Sequence, residues 1–264
     1  MDLSAWTEMK FILFLLVFLR NTGLMVGAPF FQSRNISNAL RVGLAFFLAM
    51  VFLPILNLPS NSPQSFWELV FLMIQEFILG LVMGYILYLT FAGLQLAGQL
   101  VEVPMGFGMV NVLDPQTGGQ MPIIGQLYYL TAIWLFLLVN GHHILLNVLA
   151  QSFKILPVGK TLHFTKGLPL MIKNFSQLFW LALQVAIPIL GVLFLTDVGL
   201  GVLSKLIPQI NVFILGFPIK VFLGITILIL SLPVLFRWLA TSYSNTGNVW
   251  TEMLRFIKLI GQGE

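Results

Sequence analysis

Cysteine is absent from the 264 residues of this chain, and charged residues make up only 8% of it. The missing thiols exclude disulfides, thiolate nucleophiles and metal sites built on cysteine. The HExxH, GxSxG, P-loop and dinucleotide-binding patterns are also absent, which argues against an enzyme and against a cofactor. The net charge of +4 comes from thirteen cations that are scattered along the sequence, so no nucleic acid is expected as a partner.

Apolar residues dominate what is present: 58% of the chain is hydrophobic, and the mean hydropathy is +0.97. Such a composition exceeds what a soluble core needs and indicates an integral membrane protein surrounded by lipid. Six apolar segments cover 10–31, 42–56, 69–101, 123–149, 178–203 and 212–239. The fourth is interrupted at Asn140-Gly141-His142-His143. The sequence therefore predicts an all-α, polytopic fold with bent helical hairpins, the last of them at about 178–239.

Cations outside these segments are distributed unevenly. With six crossings, one side of the membrane receives Lys10, Lys154, Lys160, Lys166, Lys173, Arg255 and Lys258. The opposite side keeps Arg34, Arg41 and Lys205. The positive-inside bias then favours cytoplasmic termini.

Small residues recur four positions apart within several segments. The pairs are Gly23 and Gly27, Ala45 and Ala49, Gly80 and Gly84, and Gly93 and Ala97. This spacing allows the backbones of neighbouring helices to approach closely, so we expect tight helix packing, with a specific dimer motif as the alternative.

Five of the ionisable residues within or beside the apolar segments stand out: Arg20, Glu76, Asp197, Lys205 and Lys220. Each is costly if it faces lipid without a partner, so Arg20 and its neighbours must face protein. We expect Arg20 to form a buried pair with Glu76 that assembly requires, the alternative for Glu76 being a protonatable relay. The other three flank the connection between the last two helices and can pair across a hairpin or meet neighbouring subunits.

Asn140, His142 and His143 raise the possibility of a metal or proton site. Adjacent positions on a helix diverge by about 100°, and no other histidine lies in the flanking runs. An interior histidine with hydrogen-bond partners is therefore the favoured interpretation.

Residues 102–122 separate the third and fourth segments and carry no Lys or Arg. The stretch is too broken for a helix and too apolar for a hydrated loop, so its backbone groups need partners inside protein or along a cavity. Gly106 and Gly108 allow unusual backbone angles around Phe107, and three methionines supply deformable apolar bulk. The stretch is a candidate gate or plug, with an ordinary interhelical turn as the alternative.

Many residues match the pattern of a known family in order and spacing. They are Arg20, Gly27-Ala28-Pro29-Phe30, Glu76, Gly80, Gly84, Phe91, Gly98, Gly106, Asp114-Pro115, Gly141-His142, Ser152-Phe153, Pro157-Val158-Gly159, Pro188, Pro208-Gln209-Ile210-Asn211-Val212-Phe213 and Gly216-Phe217-Pro218-Ile219-Lys220. On these residues the chain resembles the FliR/SctT family of type III secretion export gates over essentially its whole length. The resemblance implies that 1–264 is a single domain of this type, and the chain length favours the flagellar branch.

The resemblance implies a non-enzymatic subunit that assembles with FliP and FliQ into the closed entry pore of the flagellar export gate. FlhA and FlhB would act beside it, and unfolded flagellar proteins would be the export substrates. The location implied is the bacterial inner membrane at the centre of the flagellar basal body, largely above the bilayer plane. The loop after the third segment would plug the pore, and it maps to Gly106, Phe107, Gly108, Met109, Val110, Asn111, Val112 and Leu113.

Two other classes of function compete with this interpretation. A secondary transporter would use Glu76 as an ion-coupling carboxylate near mid-membrane, although no inverted repeat is visible. An intramembrane enzyme would need a nucleophile or a metal set, which these residues do not supply.

Overall fold

The computed structural model describes residues 3–32, 36–56, 63, 65–107, 122–209, 211–244 and 247–261, and within these ranges the chain is helical without strands. The helices there are α1 (Leu3–Gly27), α2 (Asn38–Phe52), α3 (Phe66–Met105), α4 (Ile123–Leu138), α5 (Gly141–Ile155), α6 (Phe164–Leu206), α7 (Val212–Ser242) and α8 (Asn248–Gly261). The predicted all-α class is confirmed.

The interruption predicted in the fourth apolar segment is present as a bent helix pair. α4 ends at Leu138 and α5 begins at Gly141. Between them Asn140 adopts a left-handed conformation, with φ 58° and ψ 31°. Asparagine is one of the few residues other than glycine that accept this conformation readily, so the bend is encoded locally.

The number of membrane-crossing helices is smaller than the six segments suggested. Among the described residues, α1, α3, α6 and α7 are each long and apolar enough to cross, and the bent pair α4–α5 could count as a fifth span. α2 has only 15 residues, whereas a span needs about 20. The expectation of six crossings is therefore corrected to four or five by length and composition.

Two helical stretches are not apparent from apolar runs alone. α6 begins at Phe164 rather than near 178, because Lys166 and Lys173 lower the local hydropathy without breaking the helix. α8 is amphipathic and has one buried stripe, formed by Val249, Trp250, Met253, Phe256, Ile257 and Ile260. Its apolar residues recur at helical spacing but never form a continuous run.

The chain divides into two compact units. The first unit comprises Met1–Leu89, Asn140–Asn174 and Ser242–Glu264, and the second comprises Thr90–Val139 and Phe175–Thr241. α3, α6 and α7 each contribute residues to both. In the first unit α1 packs on α2, and α5 packs on α8.

Aromatic and small side chains form the core of the second unit. The ring of Phe91 is fully buried and lies 5.9 Å from that of Phe136 and 6.1 Å from that of Tyr129. A Cβ placed on Gly98 would lie 2.6 Å from the backbone of Ile124, so α3 and α4 are in backbone contact. These contacts position the end of α3 beside the start of α4.

α1 and α3 are in backbone contact in the first unit at four glycines: Gly23, Gly27, Gly80 and Gly84. A Cβ at Gly80 would overlap the Arg20 carbonyl and lie 2.8 Å from the backbone nitrogen of Leu24. On the facing helix, Cβ atoms at Gly23 and Gly27 would likewise collide with the backbone of α3. The tight packing predicted from the four-residue spacing is confirmed for this pair of helices.

Gly80→Ala should destabilise the protein, because the added methyl group forces α1 away from α3. We expect a loss of about 1–3 kcal/mol, measured as a lower midpoint of thermal unfolding by circular dichroism in detergent. Gly191→Ala in α6 is the matched control, since a Cβ there meets no described atom within 4 Å. It should be neutral or stabilising by up to about 1 kcal/mol. Equal unfolding midpoints for the two variants would contradict the close crossing.

Candidate functional site

The structure contains a buried ion pair between α1 and α3. Nε of Arg20 donates a hydrogen bond of 2.6 Å to Oε2 of Glu76. The Arg20 side chain is fully buried, and Glu76 is 2% exposed. The predicted pairing of these two residues is present. Asn21 is also buried and donates to the Ala45 carbonyl of α2 at 3.4 Å, so this polar part of α1 faces protein, as expected.

The pair is extended by partners from α5 and the connection that follows it. Nη1 of Arg20 donates to Oγ of Ser152 at 3.2 Å, and both terminal nitrogens donate to the Leu156 carbonyl at 3.2 Å. The guanidinium carbon lies 4.5 Å from the centre of the Phe153 ring. The backbone N–H of Gly159 donates to the second carboxylate oxygen of Glu76 at 3.3 Å.

This arrangement neutralises two charges in an interior that excludes water. A buried charge is tolerated only when it is paired and its remaining donors and acceptors are satisfied. Here the guanidinium contacts a carboxylate, a hydroxyl, a carbonyl and an aromatic face, and both oxygens of Glu76 accept a hydrogen bond. The cluster therefore ties α1, α3, α5 and the segment after α5 together.

The charges of the last hairpin occupy a different environment. Lys220 on α7 forms an ion pair with Asp197 on α6, and the two side chains are 24% and 50% exposed. Pairing across the hairpin is thus the alternative that the structure contains. Lys205 lies exposed in the last turn of α6 and does not join this pair.

The two adjacent histidines lie in the first turn of α5. Their ring centres are 4.2 Å apart, closer than the angular separation of neighbouring helical positions suggests. His142 is half-buried and His143 is exposed. Within the described ranges no group of three or more His, Cys, Asp or Glu side chains is placed to hold a metal ion.

The stretch 102–122 begins with an ordered helix end, so the expectation that all of it is too broken for a helix is wrong. α3 continues through Pro104 to Met105. Proline lacks the N–H that would bond the preceding turn, and the helix ends one residue later. Gly106 has φ +96°, and the N–H groups of Gly106 and Phe107 donate to the carbonyls of Val103 and Glu102 at 3.0 and 3.1 Å. These two bonds form a Schellman motif.

Two residues of α7 pack against this helix end within the second unit. A Cβ at Gly106 would lie 2.7 Å from the Phe217 ring, and one at Gly224 would lie 2.6 Å from the tip of Met105. Met105 is fully buried. The last turn of α3 is therefore packed rather than frayed.

Glu102, near the end of α3, forms a hydrogen bond with the first residue of α4. Its Oε1 accepts a hydrogen bond of 3.0 Å from the backbone N–H of Ile123, the first residue of α4. The residue before it, Pro122, provides no side-chain cap, so the carboxylate takes that role. Glu102 is 3% exposed. It is a buried acid that fixes where the segment leaves α3 and where it enters α4.

Of the eight residues assigned to the plug, the structure describes Gly106 and Phe107. Gly108, Met109, Val110, Asn111, Val112 and Leu113 lie outside the described residues. The plug itself therefore stays a prediction, whereas its attachment to α3 and α4 is defined by the contacts of Glu102, Gly106 and Met105.

Several residues of these sites were not singled out as functional from the sequence. Ser152, Leu156 and Gly159 surround the ion pair, and Glu102 caps α4. Ser152 and Gly159 do belong to the motifs that carry the family resemblance, which was the available signal. Leu156 and Ile123 contribute only backbone atoms, so their residue types give no indication.

Comparisons with known proteins identify a family for this chain. Residues 11–246 match the family described as bacterial export proteins, family 1. The flagellar biosynthetic protein FliR of Bacillus subtilis is 36% identical over 92% of this chain and 95% of its own length. FliR of Escherichia coli is 27% identical over 92% of each chain. FliR of Aquifex aeolicus is 29% identical over 96% of this chain and 97% of its own length.

A family match over most of the chain and an identity above 30% to a relative of nearly equal length lead to one assignment. The several helices capable of crossing a membrane fit a family of export proteins. The chain belongs to the bacterial export protein family 1, the family of the flagellar biosynthetic protein FliR.

Proposed function

We propose that this chain is a non-enzymatic core subunit of the flagellar type III secretion export gate. It would assemble with FliP and FliQ into the closed entry pore, with FlhA and FlhB nearby, and would pass unfolded flagellar proteins. The gate would lie in the bacterial inner membrane at the centre of the basal body. The observation that carries the proposal is the 36% identity to FliR of Bacillus subtilis over 95% of that protein's length.

Exposed apolar side chains on α6 and α7 support an assembled state. Phe194 and Leu195 of α6 are 67% and 68% exposed, and Phe222 and Val234 of α7 are both 71% exposed. Large apolar side chains exposed to this degree along membrane-length helices are covered by lipid or by other proteins in the native state. We propose that neighbouring gate subunits cover part of this hairpin, and that residues 1–264 act as a single functional domain.

The anchored ends of the segment after α3 support its role as a pore plug. A plug must be deformable in its middle and fixed at its base. The Schellman motif at Gly106 and the bond from Ile123 to Glu102 supply the fixed base. The glycines and methionines of 106–121 supply the deformable material. We propose that the plug closes the pore to ions and yields when a substrate enters.

The transporter alternative gains no support from the geometry of Glu76. A coupling carboxylate must exchange protons or bind ions from water during transport. Glu76 is 2% exposed, and both of its oxygens already accept hydrogen bonds from Arg20 and Gly159. We therefore assign the pair to folding and assembly.

Glu76→Ala should reduce the yield of the complex with FliP and FliQ, because Arg20 is left as a buried, uncompensated charge. Breaking one side of such a pair costs about 3–5 kcal/mol. The measurement is the amount of the tagged complex that co-purifies. Glu252→Ala is the control, since it removes the partner of Lys173, whose side chain is 51% exposed. The double variant Arg20→Met/Glu76→Leu should recover part of the yield. A normal yield for Glu76→Ala would count against the assembly role.

Removal of residues 106–113 should raise ion leakage through the assembled gate, because the apolar material that fills the pore is lost. Leakage is measured as ion flux in cells that express the complex, together with export of a flagellar substrate into the medium. Replacement of the same residues by a Gly-Ser linker of equal length is the control for loop length, and we expect it to leak as well. Unchanged leakage with unchanged export would remove the gating role.

Glu102→Ala should loosen the base of the plug, because the N–H of Ile123 loses its acceptor. Loss of a side-chain acceptor at a helix N-terminus costs about 0.5–2 kcal/mol. We expect more ion leakage at a normal yield of complex. Glu102→Gln keeps an acceptor oxygen in the same place and should behave more like the unchanged protein. If the alanine and glutamine variants leak equally, the hydrogen bond to Ile123 does not hold the plug.

A further inference from the structure

The fold collects six exposed cations in the first unit, and all six belong to the set that the six-crossing interpretation assigned to one side of the membrane. These residues form what we call the basic face: Lys154, Lys160, Lys166, Lys173, Arg255 and Lys258. They come from the end of α5, the connection after it, the start of α6 and α8. Residues distant in sequence therefore meet around α8.

Three contacts place the start of α6 alongside α8. The N–H of His163 donates to the Ile260 carbonyl at 3.2 Å, and Lys173 forms an ion pair with Glu252 at 3.5 Å. Between them, a Cβ at Gly167 would meet the side chain of Phe256, so the two helices run in opposite directions in close contact. α8 also packs on α5, which ends next to Lys154.

α8 is oriented by its apolar stripe. Trp250, Phe256 and Ile260 are buried, and the indole N–H of Trp250 donates to the Tyr243 carbonyl at 3.0 Å. Burial also raises the pKa of the Tyr243 phenol well above its usual range, so the phenol stays neutral. With that stripe inward, Arg255 and Lys258 are exposed on the opposite side of the helix.

Acidic residues scarcely offset this charge. Within 154–196 the sequence contains no Asp or Glu, and α8 contains one, Glu252. Glu252 pairs with Lys173. The basic face therefore keeps an excess of positive charge at neutral pH.

The first turns of α6 lie directly before a run suited to cross a membrane. Residues 174–196 carry no charge. As a helix they are about 34 Å long, against a hydrocarbon core of about 30 Å. Leu168 and Ile172 are 52% and 67% exposed and lie between Lys166 and Lys173 in the sequence. Exposed apolar side chains among lysines, next to a span, are typical of a helix that lies at the headgroup level.

We propose that the basic face binds the headgroups of anionic phospholipids in the leaflet where α6 enters the membrane. The phosphate groups would lie against Lys166, Arg255 and Lys258, while Leu168 and Ile172 reach the acyl boundary. An acidic protein surface would match the charges but would leave these two apolar side chains in water. A lipid surface satisfies both features.

The test compares two double variants that remove the same amount of charge. Arg255→Gln/Lys258→Gln alters the basic face, and Lys205→Gln/Arg237→Gln alters exposed cations elsewhere. The full-length chain, purified in neutral detergent, is titrated with phosphatidylglycerol or with phosphatidylcholine of the same acyl chains. Bound lipid is counted by native mass spectrometry at low and high salt. Circular dichroism verifies that each variant is folded. If a double variant does not fold, its two single variants are measured instead.

We expect the unchanged chain and the control variant to prefer phosphatidylglycerol, and this preference to weaken at high salt. The basic-face variant should bind phosphatidylglycerol about 30-fold more weakly, since each cation near an anionic surface contributes about 1 kcal/mol. Equal lipid preference in all three proteins would overturn the proposal. The proposal is also overturned if the basic-face variant keeps its preference for phosphatidylglycerol but no longer co-purifies with the other gate subunits. That result would assign the basic face to an acidic protein.

Discussion

The buried charge of Arg20 constrains how the whole first unit packs. A guanidinium removed from water must find a carboxylate and further acceptors, and these come from α3, α5 and the connection after α5. Gly80 lies one turn after Glu76 on the same face of α3, where a side chain would strike the Arg20 carbonyl. The glycine therefore allows the helices to approach until Glu76 reaches Arg20. The small-residue spacing and the ion pair are two parts of one contact.

A second buried acid on the same helix organises the second unit. Glu102 lies near the end of α3, and its carboxylate accepts from the first N–H of α4. Helix N-termini present unpaired N–H groups and a partial positive charge, so a carboxylate stabilises them. Pro122 supplies no side-chain acceptor, and Glu102, twenty-one positions before Ile123, takes its place. One continuous helix thus carries a buried, hydrogen-bonded acid in each unit, Glu76 in the first and Glu102 in the second.

The sequence predicted those features that depend on local rules. The apolar runs predicted the helices, the glycine spacing predicted the crossing of α1 and α3, and Asn140 predicted the bend between α4 and α5. The pairing of Arg20 with Glu76 followed from the cost of isolated charge in an apolar segment. The start of α6 was missed because Lys166 and Lys173 lower its hydropathy, and α8 was missed because its apolar residues form a stripe rather than a run. Backbone partners such as Leu156 cannot be read from residue type at all.

The exposed surfaces of α7 and α8 are stabilised by different surroundings. Only 17% of the apolar window of α7 is buried, so the helix needs lipid or protein around it. α8 buries its apolar stripe within the first unit and exposes Arg255 and Lys258. An apolar face gains most from leaving water, whereas a basic face gains most from an anionic boundary next to water. Of the two helices, α7 carries the first kind of surface and α8 the second.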